Sequence, residues 1–283
     1  MQIKQKQFIF YYNIRSNCIF VRIKFNLMRK IKISAVSYTN TFPFIYGIEN
    51  NAIIQKIALS KDVPSSCAQK LLNNQVDIGL VPVAIIPDLA YSEIVTDYCI
   101  GASGIVRSVI LGSNQPLEKI KKIYLDFHSR SSVMLCRVLA KNFWKINVEW
   151  ANTSEGFIES IKDNEAAVII GDKALDSETK FPYVYDLAEE WIKFTNLPFV
   201  FAAWVANKPI NDSFQKEFNT ALQYGLQHID DMLKVYDVSY LPKHIKAKDY
   251  LKNNIDFPLD DKKRKGMQLF LQYAKESQLY FGN

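Results

Sequence analysis

The stretch IKISAVSYTNTFPFIYG, residues 31–47, decides the fold because it joins an alternating run to a polar cluster. Its first six residues alternate between apolar and polar side chains, which is typical of a half-buried β-strand. Pro43 ends any further strand because proline has no N–H to give to a sheet. Five hydrogen-bonding residues, 37–41, lie between the two. The segment therefore predicts a first core strand that ends in a polar loop.

Short β-like runs alternate with helical patterns from this strand onward. Strands are predicted at 31–36, 52–58, 76–81, 105–112, 120–126, 147–150, 166–170, 183–186 and 199–206. Helices are predicted after Asp62, after the serines at 129–132 and after Thr153, and the residues beyond 206 show a nearly all-helical pattern. This βα alternation predicts an α/β protein with a largely parallel sheet.

The composition is that of a globular protein, since 48% of the 283 residues are hydrophobic and 23% are charged. The net charge is +6, but residues 1–27 hold five of the basic residues and no acid, so the remainder carries only +1. That balance, without any recognition motif, argues against nucleic acid as a partner. The basic run at 262–265 follows two aspartates at a predicted helix start and is interpreted as a solvated face.

Residues 1–27 lack the sustained apolar centre and the small-residue cleavage site of a signal peptide. We expect translation to begin at Met28 and place this extension outside the fold. No stretch reaches the roughly 18 apolar residues of a membrane span, so we expect no membrane partner. The scattered cysteines are expected to be thiols in a reducing cytoplasm. The four cysteines and three histidines are scattered, which predicts free thiols and no metal site. No dinucleotide-binding or P-loop glycine motif occurs, and no cofactor is predicted.

Polar residues follow several predicted strands, and the ligands of open α/β sheets bind outside such strand ends. The candidate binding residues are Tyr38, Thr39, Asn40 and Thr41 after the first strand, Val83 in VPVA, Arg107 and Ser108 ahead of VILGS, Ser129, Arg130, Ser131 and Ser132 at a helix start, and Asp172 after VIIG. This set supplies many neutral donors, one or two cations and no nucleophile–base pair. It suits binding of a small, flat anion better than hydrolysis.

Each candidate also has a purely structural alternative. A serine before the helix could be only its N-cap, and Asn40 could form an Asx-turn. Arg130 could pair with Asp126 or extend into solvent. Asp172 could accept hydrogen bonds only from neighbouring loop N–H groups.

Five segments resemble, in order and spacing, the chorismate dehydratases of the futalosine route to menaquinone. They are AVSYTNTFPFIYGI, NNQVDIGLVPVA, RSVILGSNQPLEKIKKIYLDFHSRSSVMLCRVL, VIIGDKAL and DLAEEWIKFTNLPFVFAAWV. The resemblance runs from about residue 28 to the end and is thin in the C-terminal helices. It implies the two-lobed fold of type II periplasmic solute-binding proteins, with lobe 1 formed by residues 28–107 and 204–283 and lobe 2 by residues 108–203. The chain would then cross between the lobes at RSVI and FAAW, with the ligand in the cleft.

The resemblance also implies a lyase reaction: chorismate loses water to give 3-[(1-carboxyvinyl)oxy]benzoate, and the substrate's own enolpyruvyl carboxylate takes the ring proton. Asn40 matches the family's catalytic asparagine, and Ser108 matches its serine on the crossing strand. The helix start at 129–132 matches Ser-Arg-Thr-Ser, with Ser131 in place of threonine. Asn196 stands where the family more often has glycine, and asparagine tolerates a positive φ at such a position.

Two other functions are open on the sequence alone. The related 1,4-dihydroxy-6-naphthoate synthase has a similar fold, but it is expected to have a different first loop and to use a histidine. A solute-binding protein that only captures a small organic anion is expected to carry an export signal, which residues 1–27 do not resemble. The sequence is equally compatible with a monomer and a homodimer.

Overall fold

The computed structural model describes residues 29–126, 130–153 and 157–278, and within these ranges the chain forms two separate β-sheets. The strands are β1 (Ile31–Val36), β2 (Ile57–Asp62), β3 (Ile78–Pro82), β4 (Glu93–Ala102), β5 (Val109–Ser113), β6 (Lys122–Leu125), β7 (Glu149–Asn152), β8 (Glu165–Ile170), β9 (Tyr183–Asp186), β10 (Phe199–Ala206) and β11 (Asp256–Pro258). The helices are α1 (Phe42–Glu49), α2 (Pro64–Leu72), α3 (Arg130–Leu139), α4 (Asp172–Ser177), α5 (Leu187–Thr195), α6 (Asp212–Gln227), α7 (Ile229–Val235), α8 (Ala247–Asp249) and α9 (Asp261–Gln278). No helix in these ranges is both long and apolar enough to cross a bilayer.

The first sheet has the strand order β11-β4-β10-β3-β1-β2. Strand β1 is parallel to β2 and β3, so the carboxyl ends of these three strands meet at one edge of the sheet. The last four residues of β1 are all buried although the sequence alternates. Both faces of this strand are therefore covered, as is usual where parallel strands meet.

The second sheet has the order β7-β6-β8-β5-β9. Strand β6 is parallel to β7 and β8, whereas β5 is antiparallel to β8 and β9. In the first sheet, β10 is likewise antiparallel to β3 and β4. Both sheets are thus mixed, and the prediction of a largely parallel sheet was wrong. The cause is topological, because β5 and β10 enter their sheets from the interlobe crossings and run against the βα units.

The chain leaves the first sheet between β4 and β5 and returns between α5 and β10. Strand β10 pairs with β4 from Phe199 to Ala206 and with β3 from Ala202 to Ala206. Residues 199–203 therefore belong to the first sheet, whereas the sequence assigned them to lobe 2. Asn196 lies in the returning crossing with a φ of +57°. It therefore adopts a left-handed conformation, which asparagine tolerates, as noted from the sequence.

Two strands were absent from the sequence prediction. Strand β4 contains Glu93 and Asp97, which are disfavoured in strands, and register shifts interrupt its pairing with β10. Strand β11 has only three residues and lies in the region predicted to be helical. Residues 52–58 were predicted as one strand, but residues 52–55 form a 3-10 turn and only residues 57 and 58 belong to β2. The Asn51 side chain caps the turn by accepting from the N–H of Ile53 at 3.3 Å.

The basic run at 262–265 lies at the start of α9, but one of its members is buried. Lys263 is 1% exposed, and its ammonium nitrogen lies 2.6 Å from Asp256 Oδ2. Asp256 belongs to β11, a strand that the sequence did not predict. This carboxylate pairs with Lys263 and so allows the lysine to be buried. The interpretation as a solvated face was therefore wrong for Lys263.

The cysteines of the described ranges, Cys67, Cys99 and Cys136, are buried free thiols, as predicted. Burial is the largest cause of the raised pKa of each thiol. They are therefore poor nucleophiles and behave as small apolar residues. Cys18 and the rest of the extension at 1–27 lie outside the described residues.

Helices α1 and α6 cross with their backbones in contact at two glycines. A Cβ atom at Gly47 would lie 2.0 Å from the carbonyl oxygen of Ala221, and one at Gly225 would lie 1.8 Å from that of Pro43. No side chain fits at either position. The crossing therefore anchors α1, the helix that begins directly after the polar loop.

We expect Gly47→Ala to lower the free energy of unfolding by about 1–3 kcal/mol, because overpacking forces the backbones apart. Helix propensity alone would have the opposite effect on stability, because it favours alanine over glycine in a helix by about 1 kcal/mol. Urea unfolding measures the change. Gly104→Ala is the matched control, since nothing lies within 4 Å of a Cβ there. Equal stability of Gly47→Ala and wild type would contradict the close crossing.

Candidate active site

A cleft lies where the polar loop after β1 meets the crossing into β5. It contains about 540 Å³ of space that no atom fills, with the open solvent at its mouth included. The lining residues are Val36, Tyr38, Asn40, Thr41, Pro64, Leu80, Pro82, Ile100, Val106, Ser108, Val109, Ser132, Ile170, Gly171, Phe201 and Ala202. The polar members come from both lobes, and none of the lining side chains carries a formal charge at neutral pH.

The polar loop is a single 3-10 turn, Thr39–Thr41, and all three of its residues are buried. The Thr41 N–H donates to the carbonyl oxygen of Tyr38 at 2.9 Å, which closes the turn. The Thr41 hydroxyl donates to Asn40 Oδ1 at 3.1 Å. Because Oδ1 of Asn40 is held in this way, the Nδ2 amino group is the donor that this side chain can offer to a ligand.

Ser108 is 2% exposed and lies at the crossing just before β5. Its backbone oxygen accepts from the N–H of Gly171 at 2.8 Å, which joins the crossing to the end of β8. Arg107, directly before it, has a φ of +62°, in the left-handed region. The side chain of Arg107 pairs with Glu178, with Nε 3.1 Å from Oε2, and does not line the cleft.

Asp186 holds the crossing in this conformation. Its Oδ2 accepts from the N–H groups of Val106 and Arg107 at 3.0 and 2.6 Å. Its Oδ1 accepts from Ala188 and Glu189 at 3.1 Å each and caps α5. Burial raises the pKa of Asp186 to about 6, although the four N–H groups act in the opposite direction. One carboxyl therefore joins the interlobe crossing to a helix of the second lobe.

Several residues fasten the two lobes together at the mouth of the cleft. The N–H of Thr39 donates to Asp172 Oδ2 at 3.3 Å, and the Thr39 hydroxyl lies 2.6 Å from the hydroxyl of Tyr240. Burial raises the pKa of Asp172. Nearby, His244 Nε2 lies 3.1 Å from Glu178 Oε1. Asp172 and Glu178 belong to the second lobe and the other groups to the first, so the Thr39–Asp172 and His244–Glu178 contacts join the lobes, whereas the Thr39–Tyr240 contact lies within the first.

Gly171 is required for this closed arrangement. Its φ of +64° lies in the region that favours glycine, and a Cβ atom there would lie 2.9 Å from the ring of Tyr38. The Tyr38 ring therefore packs directly on the backbone of the opposite lobe. Burial is the largest cause of the strongly raised pKa of Tyr38, followed by the charges of Asp126 and Asp172. Its hydroxyl stays neutral at physiological pH.

The start of α3 makes a second set of contacts between the lobes. Ser131 Oγ accepts from the N–H of Ala84 at 3.2 Å. Arg130 is 53% exposed and pairs with Asp88, with Nη1 3.2 Å from Oδ2. Ser132, one residue further on, lines the cleft.

The structure divides the predicted binding residues into two groups. Tyr38, Asn40, Thr41, Ser108 and Ser132 line the cleft. The predicted residues that lie elsewhere are Thr39, Arg107, Arg130, Ser131 and Asp172, which bond to protein groups as described above, and Val83, which is fully buried in the core. Ser129 lies outside the described residues. Arg130 pairs with Asp88, a partner that the sequence did not suggest.

Sequence reasoning missed three residues that shape the site. Asp186 was read only as the end of a strand, although an aspartate directly before LAEEW is a recognisable N-cap signal. Gly171 follows a buried strand, where a glycine often marks a close backbone approach. Tyr240 carried no signal, because its partner Thr39 is 201 positions away.

The two sheets, the two crossings and the cleft between them define a class: this is a two-lobed protein of the periplasmic-binding-protein fold. Protein AF1704 from Archaeoglobus fulgidus superposes with a TM-score of 0.67 at 12% identity, over 88% of this chain and 98% of that one. The CA3427 gene product of Candida albicans, which exhibits the generic periplasmic binding protein structural fold, gives a TM-score of 0.57 at 16% identity, over 88% of this chain and 90% of that one. The fold class implied by the resemblance is confirmed.

Residues 31–276 match the family described as menaquinone biosynthesis, and the chain belongs to that family. The chorismate dehydratase of Thermus thermophilus is 22% identical to this chain over 267 residues, which are 87% of this chain and 95% of that protein. The family predicted from the five sequence segments is thereby confirmed.

Proposed function

We propose that this protein is a chorismate dehydratase, a cytoplasmic lyase of the futalosine route that converts chorismate to 3-[(1-carboxyvinyl)oxy]benzoate and water. The observation that carries the proposal is the composition of the cleft. Apolar side chains such as Leu80, Ile170 and Phe201 form a slot suited to a flat ring, and neutral donors surround it. The family membership and the dehydratase relative support the same reaction.

The reaction asks little of the enzyme beyond orientation and stabilisation of charge. A ring C–H bond and the C–O bond of the ring hydroxyl break, the ring becomes aromatic, and the proton and hydroxide leave as water. Tyr38 is the one titratable side chain among the lining residues of the described ranges, and its raised pKa keeps it neutral. This arrangement supports proton transfer to the substrate's own enolpyruvyl carboxylate.

The roles of the polar residues follow from their positions. Asn40 Nδ2 would hold the departing hydroxyl or the side-chain carboxylate, and Ser108 would donate to the substrate from the opposite side. Thr41 is the N-cap of α1, and Ser132 lies in the first turn of α3. Helix N-termini attract anions through their free N–H groups and dipoles. Two carboxylates could thus be bound without a cation in the lining.

The cleft bears differently on the two alternative functions. The dihydroxynaphthoate synthase is expected to use a histidine, and the two histidines of the described residues, His228 and His244, do not line the cleft. His128 lies outside the described residues. The interlobe contacts of Thr39 and Ser131 would exclude water from a bound ligand, which suits a reaction as well as capture.

The test is to mix the purified protein with chorismate and follow the aromatic product by ultraviolet absorbance and mass spectrometry. We expect conversion with the loss of one water. Chorismate that is bound, as judged by a thermal shift, but recovered unchanged would indicate a solute-binding protein. Chorismate that neither binds nor reacts would contradict the assignment of this ligand altogether.

A further inference from the structure

Tyr250 begins a π-helical turn, Tyr250–Asn254, that packs beside the interlobe crossing. Its side chain is 1% exposed. At the other end of the turn, Asn254 Nδ2 donates to the carbonyl oxygen of Ile105 at 2.9 Å, which fixes the turn to the segment before Ser108. Single π-helical turns are frequent at functional sites.

The hydroxyl of Tyr250 is buried and has no hydrogen-bond partner of normal length and angle among the described residues. Burial raises the pKa of Tyr250, and hydrogen bonding toward Ser108 and then Asn40 acts to lower it, so both side chains lie near the hydroxyl although neither contact has the length and angle of a formed hydrogen bond. A buried hydroxyl without a partner costs about 1–3 kcal/mol, so one that is retained needs an explanation. Here the hydroxyl neighbours Asn40 and Ser108, the two residues that the proposed function makes catalytic.

We propose that Tyr250 is a positioning residue whose hydroxyl bonds to Asn40 or Ser108 only when a ligand occupies the cleft. The Asn40 Oδ1 atom already accepts from Thr41, and a carbonyl oxygen has two lone pairs. A second donor from Tyr250 fixes the plane of the carboxamide and directs Nδ2 toward the ligand. The choice of chorismate as that ligand rests on the proposed function, whereas the unbonded state of the hydroxyl does not.

Tyr250→Phe removes the hydroxyl and keeps the ring. Without ligand, we expect the unfolding midpoint to be equal to or higher than that of wild type, because an unpartnered polar group has gone. With chorismate, we expect kcat/KM to fall about tenfold, the effect of one lost hydrogen bond, mostly in kcat. The thermal shift produced by saturating product should also shrink.

Tyr236→Phe is the matched control. The Tyr236 hydroxyl lies 2.5 Å from Glu49 Oε2 on the surface, so its removal should leave the kinetics unchanged and leave stability equal or slightly lower.

A double-mutant cycle decides whether Tyr250 acts through Asn40. In the Asn40→Ala background, Tyr250→Phe should have no further effect on kcat/KM. If the cycle with Asn40 is additive, the same cycle with Ser108→Ala must show coupling, and additivity in both would overturn the proposal. A drop in the stability of unliganded Tyr250→Phe would also overturn it, since the hydroxyl would then be bonded without ligand. The stability measurement needs no substrate. It therefore tests the proposal for Tyr250 even if wild type leaves chorismate unchanged, a result that would contradict only the proposed function.

Discussion

Replacing Asn40 by alanine is expected to lower kcat for chorismate by a factor of about 100 to 1,000 while the protein stays folded. The loss of one positioned donor at a developing charge has this magnitude in a water-excluded site. Asn40 is 9% exposed, and its side chain accepts from Thr41 at 3.1 Å. The loss of that one neutral hydrogen bond should reduce stability by only about 1 kcal/mol.

The measurement is steady-state kinetics by product absorbance, with circular dichroism to verify the fold. Asn114→Ala is the matched control, because the Asn114 amide donates to Ile161 O in the second lobe and does not line the cleft. It should retain wild-type kcat. An Asn40→Ala enzyme with the kcat of wild type would show that Asn40 has no catalytic role. That result would leave open whether the substrate's own carboxylate takes the proton.

Replacing Asp186 by alanine is expected to cost on the order of 3 kcal/mol of stability at pH 5, the largest effect on folding that we predict. Its carboxyl accepts from four backbone N–H groups, two in the crossing and two at the start of α5. Buried N–H groups that lose their acceptor cost about 1–3 kcal/mol each, less what water recovers. Asn211→Ala is the control: Asn211 caps α6 through one bond to Ser213 N–H, and its loss should cost only about 1 kcal/mol.

The contribution of the Asp186 carboxyl to the free energy of unfolding should depend on pH. Burial raises the folded-state pKa of Asp186 to about 6, above the ordinary value of 3.8. The folded state thus holds the proton more tightly than the unfolded state, and the resulting stability is present below pH 4 and lost as the pH rises through 6. The advantage of wild type over Asp186→Ala should narrow from pH 4 to pH 7 in urea unfolding. An advantage that widens with pH would show that the ionised form is the favoured one.

The polar loop was predictable because all of its signals are local. The alternation in β1, the run of donors and Pro43 lie within thirteen residues, and the structure shows the strand at Ile31–Val36 followed at once by the buried turn Thr39–Thr41. The start of α3 was also visible in the sequence, but its chemistry was not. Whether Arg130 binds a ligand or pairs with Asp88 depends on how the two lobes meet.

The missed features share a dependence on long-range contacts. Asp186 joins residues about 80 positions apart, and Tyr240 meets a threonine 201 positions away. Lys263 is buried only because the short strand β11 places Asp256 beside it. No local pattern marks such contacts, and the family resemblance is thinnest in this C-terminal region. The lobe boundaries otherwise stay a prediction, apart from residues 199–203, which pair in the first sheet.

A crystal structure with bound 3-[(1-carboxyvinyl)oxy]benzoate tests the central claim most directly. We predict that the aromatic ring lies in the apolar slot between the lobes, with a carboxylate or the ether oxygen within hydrogen-bond distance of Asn40 Nδ2 and Ser108 Oγ. Product bound outside this cleft, or bound in it with Asn40 turned away, would contradict the account.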